Sequence, residues 1–192
     1  MTAEEIIKKE KEQLFEREFF PHADALYNFA FHLTYNEDDA NDLVQDTFLK
    51  SYRFINSYEK GTNAKAWLFK ILKNSFINEY RKKSRTPREV DYEDYIAYQD
   101  SDEATGIGSL DMRSNVFQNM MGDEITNAIN SLPADFRTVI LLCDVEDFSY
   151  EEIAKIVDIP IGTVRSRLHR SRNMLKDQLR DYARTKGIKE IR

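Results

Sequence analysis

The stretch that most constrains the fold is FSYEEIAKIVDIPIGTVRSRLHRSRNML, residues 148–175. Ser149 and Glu152 have the spacing of a capping box, in which the side chain of each residue accepts a hydrogen bond from the backbone N–H of the other. A helix is therefore predicted to start at Tyr150. Pro160 cannot continue that helix but is tolerated where another begins. The stretch therefore predicts two consecutive helices joined by a tight turn.

The second of these helices has one apolar and one polar face. Val164, Leu168 and Leu175 recur at helical spacing and should point inward. The pattern predicts a helix-turn-helix whose second helix could enter the major groove of DNA. Arginine and serine offer hydrogen bonds to base edges, and a further arginine could reach phosphate. The candidate DNA-binding residues are Thr163, Arg165, Ser166, His169, Arg170 and Arg172. A helical hairpin with a solvated basic face stays open as an alternative.

The charge distribution supports DNA binding better than the total charge does. The chain has 192 residues and a net charge of −6, although DNA-binding proteins are usually basic. From residue 163 onward, however, ten basic residues face three acidic ones, and residues 89–124 carry ten carboxylates against one arginine. Because its basic and acidic residues are separated along the sequence, the chain is expected to bind DNA weakly by itself. It should need a partner protein that brings its basic part to DNA.

The remaining composition restricts the class of protein. Few glycines and prolines indicate a largely helical chain, and the single Cys143 excludes an intramolecular disulfide framework, which fits a cytoplasmic location. No apolar run approaches the length of a membrane span, and no signal peptide is recognised. His22, His32 and His169 do not form a metal-ligand pattern, and neither a phosphate-binding glycine loop nor a nucleophile with a base is present. We therefore expect no enzyme activity, cofactor, metal, small-molecule substrate or membrane insertion.

Hydrophobic periodicity places six further helices before the motif, and the expected fold class is all-α. Their predicted ranges are 3–20, 23–34, 40–57, 66–83, 123–131 and 134–146. The last two are separated at Leu132-Pro133, and with the motif helices they make a four-helix C-terminal domain. The predicted domains are 1–88 and 122–192, joined by an acidic flexible linker at 89–121 that contains two nearby glycines, Gly106 and Gly108.

The third helix carries the sequence DLVQDTF with a distinct outer face. Leu43, Thr47 or Phe48, Tyr52 and Ile55 are the expected buried residues. The outer face would present Asp42, Gln45, Asp46 and Leu49. Acidic residues near a helix N-terminus can simply complement the helix dipole, which accounts for Asp42. That explanation is weaker for Gln45 and Asp46, which lie one turn further in.

The following helix, AWLFKILKNSFINEYRKK, completes a pattern that covers most of the chain. DLVQDTF, KAWLFKILKN with INEYRKKSR, LPADFRTVILL and SYEEIAKIVDIPIGTVRSRLHRSR occur in this order. Together these blocks closely resemble the extracytoplasmic-function group of bacterial sigma factors, which are two-domain members of the main sigma family. The resemblance implies a promoter-specificity subunit that binds core RNA polymerase and promoter DNA.

The resemblance also implies residue roles in the first domain. The outer face Asp42, Gln45, Asp46 and Leu49 would dock on the clamp coiled coil of the largest polymerase subunit. The loop at 61–65 would receive a base flipped from the non-template strand of the −10 element, with a cationic track beyond it. The implied −10 contacts are Asn63, Lys65, Trp67, Lys70, Lys73, Asn74, Arg81 and Lys82. For Trp67, a place in the core is the stronger expectation because it lies at helical spacing with Leu68 and Ile71.

The second domain would read the −35 element as duplex. The family varies at the position of His169, and a histidine differs in kind from the residues seen there. The −35 sequence that this chain prefers therefore cannot be taken from the family. An anti-sigma factor is a further expected partner, covering the 42–49 surface, the recognition helix or both. The acidic linker could imitate nucleic acid in a polymerase channel or could be a solubilising tether.

Two other functions compete with this interpretation. An ordinary helix-turn-helix repressor or activator would bind palindromic sites as a dimer, but it leaves the DLVQDTF and AWLFKILKN blocks unexplained. A protein-interaction adaptor that never touches DNA would leave the basic C-terminal face without a role.

Overall fold

A computed structural model describes residues 3–85 and 123–187, with side chains for 5–79 and 124–187. These residues form helices joined by short turns, and no strand occurs among them, so the all-α prediction is confirmed. The first group of helices is α1 (Ala3–Leu14), α2 (Ala23–Thr34), α3 (Glu37–Arg53) and α4 (Ala64–Arg85). The second group is α5 (Asp123–Asn130), α6 (Ala134–Ile140), α7 (Tyr150–Val157), α8 (Ile161–Gln178) and α9 (Arg180–Thr185). The predicted acidic linker and the other predicted domain limits lie outside the described residues.

The N-terminal segment is not the single helix predicted at 3–20. After α1 the chain widens into a π-helical turn, Phe15–Phe19, and then tightens into a 3-10 turn, Phe20–His22. Pro21 lies within the 3-10 turn, where its missing N–H costs no hydrogen bond. Phe19 is fully buried against Tyr58 and Trp67, so the end of this segment is a part of the core.

Helix α3 starts at Glu37, three residues before its predicted start. Asn36 caps it, because its side-chain oxygen accepts the backbone N–H of Asp39 at 3.0 Å. Leu43 and Thr47 are fully buried as expected, and Thr47 donates to the Leu43 carbonyl at 2.7 Å. The expectation that Tyr52 is buried was wrong, because its side chain is 39% exposed. The helix ends at Arg53 rather than 57, and a 3-10 turn, Ile55–Ser57, follows.

Helix α4 starts at Ala64, two residues before its predicted start, because Asn63 caps it. The Asn63 side-chain oxygen accepts the backbone N–H of Ala66 at 2.9 Å. Leu68 and Leu72 are buried as predicted, and Phe69 is also buried, against Phe29 at 5.0 Å.

The capping box of the helix-turn-helix is present. Ser149 accepts the backbone N–H of Glu152 at 3.3 Å, and the carboxylate of Glu152 accepts the backbone N–H of Ser149 at 2.9 Å. Asp158 ends α7 in the left-handed conformation, and α8 begins after Pro160. Val164 and Leu168 fix the buried side of α8. The predicted start of the motif at Tyr150 is therefore confirmed.

The two groups of helices share one hydrophobic core. Helix α4 packs on α7, and α2 packs on α6. Phe69 of the first group and Phe148 of the second meet edge to face with ring centroids 5.2 Å apart. Among the described residues, no helix is both long and apolar enough to cross a membrane.

Candidate nucleic-acid and polymerase interfaces

The outer face of α8 presents the predicted base-reading residues together. Arg165, Ser166, His169 and Arg170 are all exposed, whereas Thr163 is half-buried at the start of the helix. Ser166 donates to the Thr163 carbonyl at 3.0 Å, and a ring nitrogen of His169 lies 3.1 Å from the Asn173 amide. These side chains therefore lie on one exposed surface of α8, while Val164 and Leu168 pack into the core on its opposite side.

Two ion pairs hold α8 against the rest of its group. Arg167 binds Asp135 at 2.6 Å, and Arg172 binds both carboxylate oxygens of Asp144, at 2.6 and 3.1 Å. The hydrogen bond to Asp144 raises the pKa of Arg172 above its usual range. Arg172, expected to reach phosphate, thus already holds a partner within the protein, although a guanidinium has five N–H donors.

The loop at 58–63 is held by one tyrosine. The Tyr58 hydroxyl lies 2.8 Å from the Glu18 carboxylate and 3.0 Å from the Thr62 carbonyl, so its single proton can be shared between them. Burial, and then the hydrogen bond to Glu18, raise the pKa of Tyr58. Gly61 takes a φ of +83°, which lets the chain turn inside this anchor.

Three predicted −10 residues contact the second group of helices: Lys65 and Lys73 are half-buried there, and Asn63 remains exposed. The Asn63 amide donates to the Glu152 carboxylate at 2.5 Å, and the Lys73 ammonium donates to the Val157 carbonyl at 3.0 Å. The Lys65 ammonium binds the Glu146 carboxylate and the Glu146 carbonyl, both at 2.8 Å. Sequence reasoning did not foresee this contact, because it depends on how the two groups pack.

The Lys65–Glu146 pair lies inside the interface. Glu146 is 9% exposed, and burial raises the pKa of its carboxyl more than Lys65 lowers it. The Lys65 ammonium also lies over the ring of Phe148, 5.0 Å from the centroid, and 5.7 Å from that of Phe69. The Lys65 side chain keeps 27% of its surface exposed, so its ammonium is flanked by a carboxylate and two aromatic rings on the protein side.

The other predicted −10 residues differ in their surroundings. Lys70 and Asn74 are exposed along α4. Trp67 is half-buried against Phe19 and Tyr58, in accordance with the expected place in the core. Arg81 and Lys82 lie in the last two turns of α4, and their side chains lie outside the described residues.

Three of the four residues predicted to bind polymerase are exposed on α3. Asp42, Gln45 and Leu49 are exposed, and Leu49 is 70% exposed. Asp46 is half-buried and pairs with the Lys50 ammonium at 2.6 Å. The same ammonium also donates to the Ser75 hydroxyl at 2.9 Å. Asp46 is thus tied to its own helix.

Sequence reasoning missed the apolar residues beside this face. Tyr52 lies three residues after Leu49, so the two side chains share a side of α3. Phe54 is 54% exposed at the end of the helix, and Phe20 is 62% exposed with its ring 6.5 Å from Phe48. Exposed aromatic groups clustered near a charged rim are typical of protein-binding surfaces. The signal in the sequence was Pro21, which interrupts the N-terminal helix next to Phe20.

Among the described residues, no group of three or more histidine, cysteine, aspartate or glutamate side chains is arranged to hold a metal ion.

Comparison with sequence families identifies both groups of helices. Residues 20–86 match the family described as Sigma-70 region 2, and residues 122–175 match the family described as Sigma-70, region 4. The chain is 37% identical over 162 residues to the ECF RNA polymerase sigma factor SigE of Mycolicibacterium smegmatis, covering 84% of this chain and 60% of that protein. It is 32% identical over 169 residues to SigW of Bacillus subtilis, covering 82% of this chain and 84% of that protein.

Two solved structures have a fold similar to that of this chain. The chain is similar to the sigma factor RpoE of Bartonella quintana, crystallised with the anti-sigma factor NepR, with a TM-score of 0.64 and 36% identity over 86% of this chain and 96% of that one. It also shares the fold of CnrH, solved with the cytosolic domain of CnrY, with a TM-score of 0.57 and 23% identity over 91% of this chain and 90% of that one.

Proposed function

Because the chain belongs to the extracytoplasmic-function group of RNA polymerase sigma factors, we propose that it binds core RNA polymerase and directs initiation at promoters with −35 and −10 elements. The observation that carries this assignment is the exposed polar face of α8, together with a region 2 block in the same chain that has its own exposed α3 face. Run-off transcription from a pool of genomic promoters, with core enzyme alone and with core enzyme plus this chain, tests it. Transcripts that require the chain and share two spaced elements support the proposal.

We assign −35 recognition to the exposed face of α8. Arg165 and Arg170 can each make two hydrogen bonds to a guanine, and Ser166 and His169 can each donate to or accept from a base edge. Thr163, at the first turn of the helix, and the free N–H groups of Arg172 are suited to phosphate. The hydrogen bonds to Asp144 and to the Cys143 sulfur would orient Arg172, because they fix three of its five donors.

We assign −10 capture to the loop before α4 and the helix that follows. The loop is braced by Tyr58, so a pocket for an extruded base would be formed before DNA arrives, which offsets the few kcal/mol that base extrusion costs. Lys65, Lys70 and Lys73 would attract the strand, and Asn63 and Asn74 offer amides to base edges. Trp67 would support the pocket from the core. Arg81 and Lys82 would hold phosphate further along α4.

We assign polymerase docking to the outer face of α3. Leu49 and Tyr52 would supply the apolar centre, and Asp42 and Gln45 the polar rim. Asp46 would contribute through the oxygen that Lys50 leaves free. Phe20 and Phe54 would extend the apolar area.

The proposed role has consequences for partners and location. RNA synthesis belongs to the polymerase, so the chain is a regulator of initiation with no reaction of its own. A protein that acts on RNA polymerase and DNA works in the cytoplasm. Since the similar Bartonella protein was solved with an anti-sigma factor, we propose that this chain also has such a partner.

A further inference from the structure

A glutamate of the N-terminal segment supports the loop to which −10 capture is assigned. Glu18 lies in the π-helical turn Phe15–Phe19, and its carboxylate accepts the Tyr58 hydroxyl at 2.8 Å. The two residues are 40 positions apart, and Glu18 lies just before the match to Sigma-70 region 2, which begins at residue 20. The contact therefore joins a residue outside that family match to the loop inside it.

Three donors converge on the Glu18 carboxylate. One of its oxygens accepts the Arg17 guanidinium at 2.8 Å, and the other accepts the Tyr58 hydroxyl. The hydrogen bonds from Arg17 and then from Tyr58 lower the pKa of this carboxyl, and burial opposes them. A hydrogen bond from the backbone N–H of Gly61 lowers the pKa further. The carboxylate is thus ionised at neutral pH, where it is a strong acceptor.

The two donors in the loop matter more than Arg17 for the place of this carboxylate. The Arg17 side chain is 71% exposed, so its ion pair in water contributes little. The Glu18 side chain, by contrast, is only 18% exposed. Tyr58 is 6% exposed, and its hydroxyl also lies 3.0 Å from the Thr62 carbonyl. Glu18 therefore reaches both the start of the loop, at Tyr58, and its turn, at Gly61.

The next residue along the chain fixes where Glu18 lies. Phe19 is fully buried, with its ring centroid 5.0 Å from that of Tyr58 and 5.2 Å from that of Trp67. The ring centroids of Tyr58 and Trp67 also lie 5.2 Å apart. These three packed aromatic side chains leave the backbone at Glu18 little freedom to shift relative to the loop and to the first turn of α4.

A displacement of the loop would move residues proposed to contact the −10 strand. Thr62 donates to the Glu59 carbonyl through both its backbone N–H and its hydroxyl, so the turn of the loop moves as one unit. Asn63 follows directly and caps α4 by accepting the Ala66 N–H at 2.9 Å. A base pocket selects among extruded bases by where its polar groups lie. A change in the loop should therefore alter which base is preferred.

We propose that Glu18 is a positioning residue for −10 recognition, which sets the base preference of the loop through Tyr58 and Gly61 without contacting DNA. Because the role of the loop in −10 capture is itself proposed, this inference rests on it. A contact that only stabilised the fold would lower transcription from every promoter alike. A positioning contact instead changes the ratio between promoters that differ in one −10 base.

The test uses the full chain with Glu18→Ala, which removes the acceptor. Glu18→Gln is the conservative variant, because its amide oxygen can still accept from Tyr58 and Gly61. Glu16→Ala is the matched control, since Glu16 lies in the same π-helical turn and is exposed. Neither glutamate belongs to the proposed DNA or polymerase contacts.

Base preference is measured on one promoter taken from the chain-dependent run-off products. Each position of its −10 element is replaced in turn by the other three bases, and the run-off product is compared among the four templates at each position. The Kd for core enzyme and the loss of product on scrambling the −35 element are measured for each version of the chain. These two quantities report polymerase docking and −35 recognition, to which α3 and α8 are assigned.

We expect the unchanged chain to discriminate most strongly at one −10 position, that of the extruded base. Glu18→Ala should reduce this discrimination about fivefold, the effect of one ordinary hydrogen bond, and should leave the Kd and the −35 dependence within about twofold. Glu18→Gln and Glu16→Ala should discriminate as the unchanged chain does. Tyr58→Phe, which removes the donor instead of the acceptor, should give a similar loss and serves as the test if Glu18→Ala does not fold.

The possible results separate this inference from the proposed function. Undiminished discrimination in Glu18→Ala, in a chain that still binds core enzyme, would overturn the positioning role alone. A uniform loss on all templates would also overturn it, since the contact would then only stabilise the chain. An equal loss in Glu18→Gln would overturn the action through hydrogen bonds to Tyr58 and Gly61, because charge alone would then explain the effect. If no transcript depends on the unchanged chain, the proposed function fails instead.

Discussion

The guanidinium of Arg137 donates a hydrogen bond to the backbone carbonyl of His32 at 3.0 Å, and so connects α6 directly to the end of α2. Arg137 is 5% exposed, donates to the Leu132 carbonyl at 3.1 Å and lies 5.1 Å from the centre of the Tyr35 ring. Burial raises the pKa of Tyr35 to about 12, so its ring remains neutral beside this cation at physiological pH. One arginine therefore joins the two groups through α6 and α2, in addition to the contact that Lys65 of α4 makes with Glu146.

Arg137→Leu should destabilise the chain markedly. The substitution removes a charged donor from two buried carbonyls, and each such hydrogen bond is typically worth about 1.5–3 kcal/mol. We expect the free energy of unfolding in urea to fall by about 3 kcal/mol. Arg180→Leu, at an exposed residue that pairs with Asp177 at 2.8 Å, should change it by less than about 1 kcal/mol. Equal stability of the two variants would show that the Arg137 contacts contribute little.

Acidification should weaken the fold through His32. Burial, and to a lesser extent Arg137, lower the pKa of His32, so the folded chain refuses a proton that the unfolded chain accepts below about pH 6.5. Stability should therefore fall as the pH drops from about 6.5 toward the lower folded value, and be flat above that range. His32→Gln, which cannot titrate, should show a smaller loss of unfolding free energy between pH 7 and 5.5. An identical loss in both proteins would assign the pH dependence to other groups.

Tyr58→Phe should impair promoter melting more than it impairs the fold. Without the hydroxyl, Glu18 and the Thr62 carbonyl lose their shared partner, and the loop before α4 is less ordered. We expect a stability loss of about 1 kcal/mol, typical of one hydrogen bond, together with a several-fold drop in open complexes detected by permanganate. Tyr182→Phe, in α9, is the matched control. If open-complex formation is unchanged, the anchor does not act in melting.

Arg165→Ala and Arg170→Ala should each lower promoter use. A bidentate contact to guanine is worth about 1–3 kcal/mol, so we expect a loss of about tenfold to a hundredfold in run-off product on the selected promoters. Arg184→Ala, an exposed arginine outside α8, should have little effect. Core polymerase binding should be unchanged in all three, because the substitutions lie far along the chain from α3. Normal promoter use in both α8 variants would remove this face from −35 recognition.

Leu49→Ala should weaken polymerase binding without unfolding the chain. Leu49 is 70% exposed, so its truncation costs the free protein little, but burying a leucine at an interface is worth about 1.5–3 kcal/mol. We expect at least a tenfold higher Kd for core enzyme. Ile7→Ala on α1, which is 53% exposed, removes a similar apolar group elsewhere and should leave the Kd unchanged. An equal loss in both variants would point to general hydrophobicity instead of a defined site.

Sequence reasoning was most successful where the signal is local. The capping box at Ser149 and the break at Pro160 depend only on neighbouring residues, and both occur as predicted. It was weaker at helix ends, because a single capping side chain moves the start of a helix. Asn36 precedes the predicted third helix and Asn63 lies in the predicted loop, yet each caps a helix that starts earlier than the hydrophobic pattern indicates.

The contacts between the two groups could not be predicted from the sequence. Lys65 and Glu146 lie 81 positions apart, and nothing in the local pattern of either residue indicates a partner. Tyr52 was expected inside because helical spacing continues from Leu43 and Thr47. The helix instead ends at Arg53, and Tyr52 is 39% exposed, with its ring edge to face against Phe15 at a centroid distance of 6.0 Å.

The most direct test of the assignment is native co-purification of the chain with core RNA polymerase, followed by run-off transcription on a genomic promoter pool. We predict a one-to-one complex that initiates at promoters sharing a −35 and a −10 element, and no such transcripts from core enzyme alone. A chain that fails to bind core enzyme but binds palindromic duplex as a dimer would contradict the assignment and identify an ordinary helix-turn-helix repressor or activator.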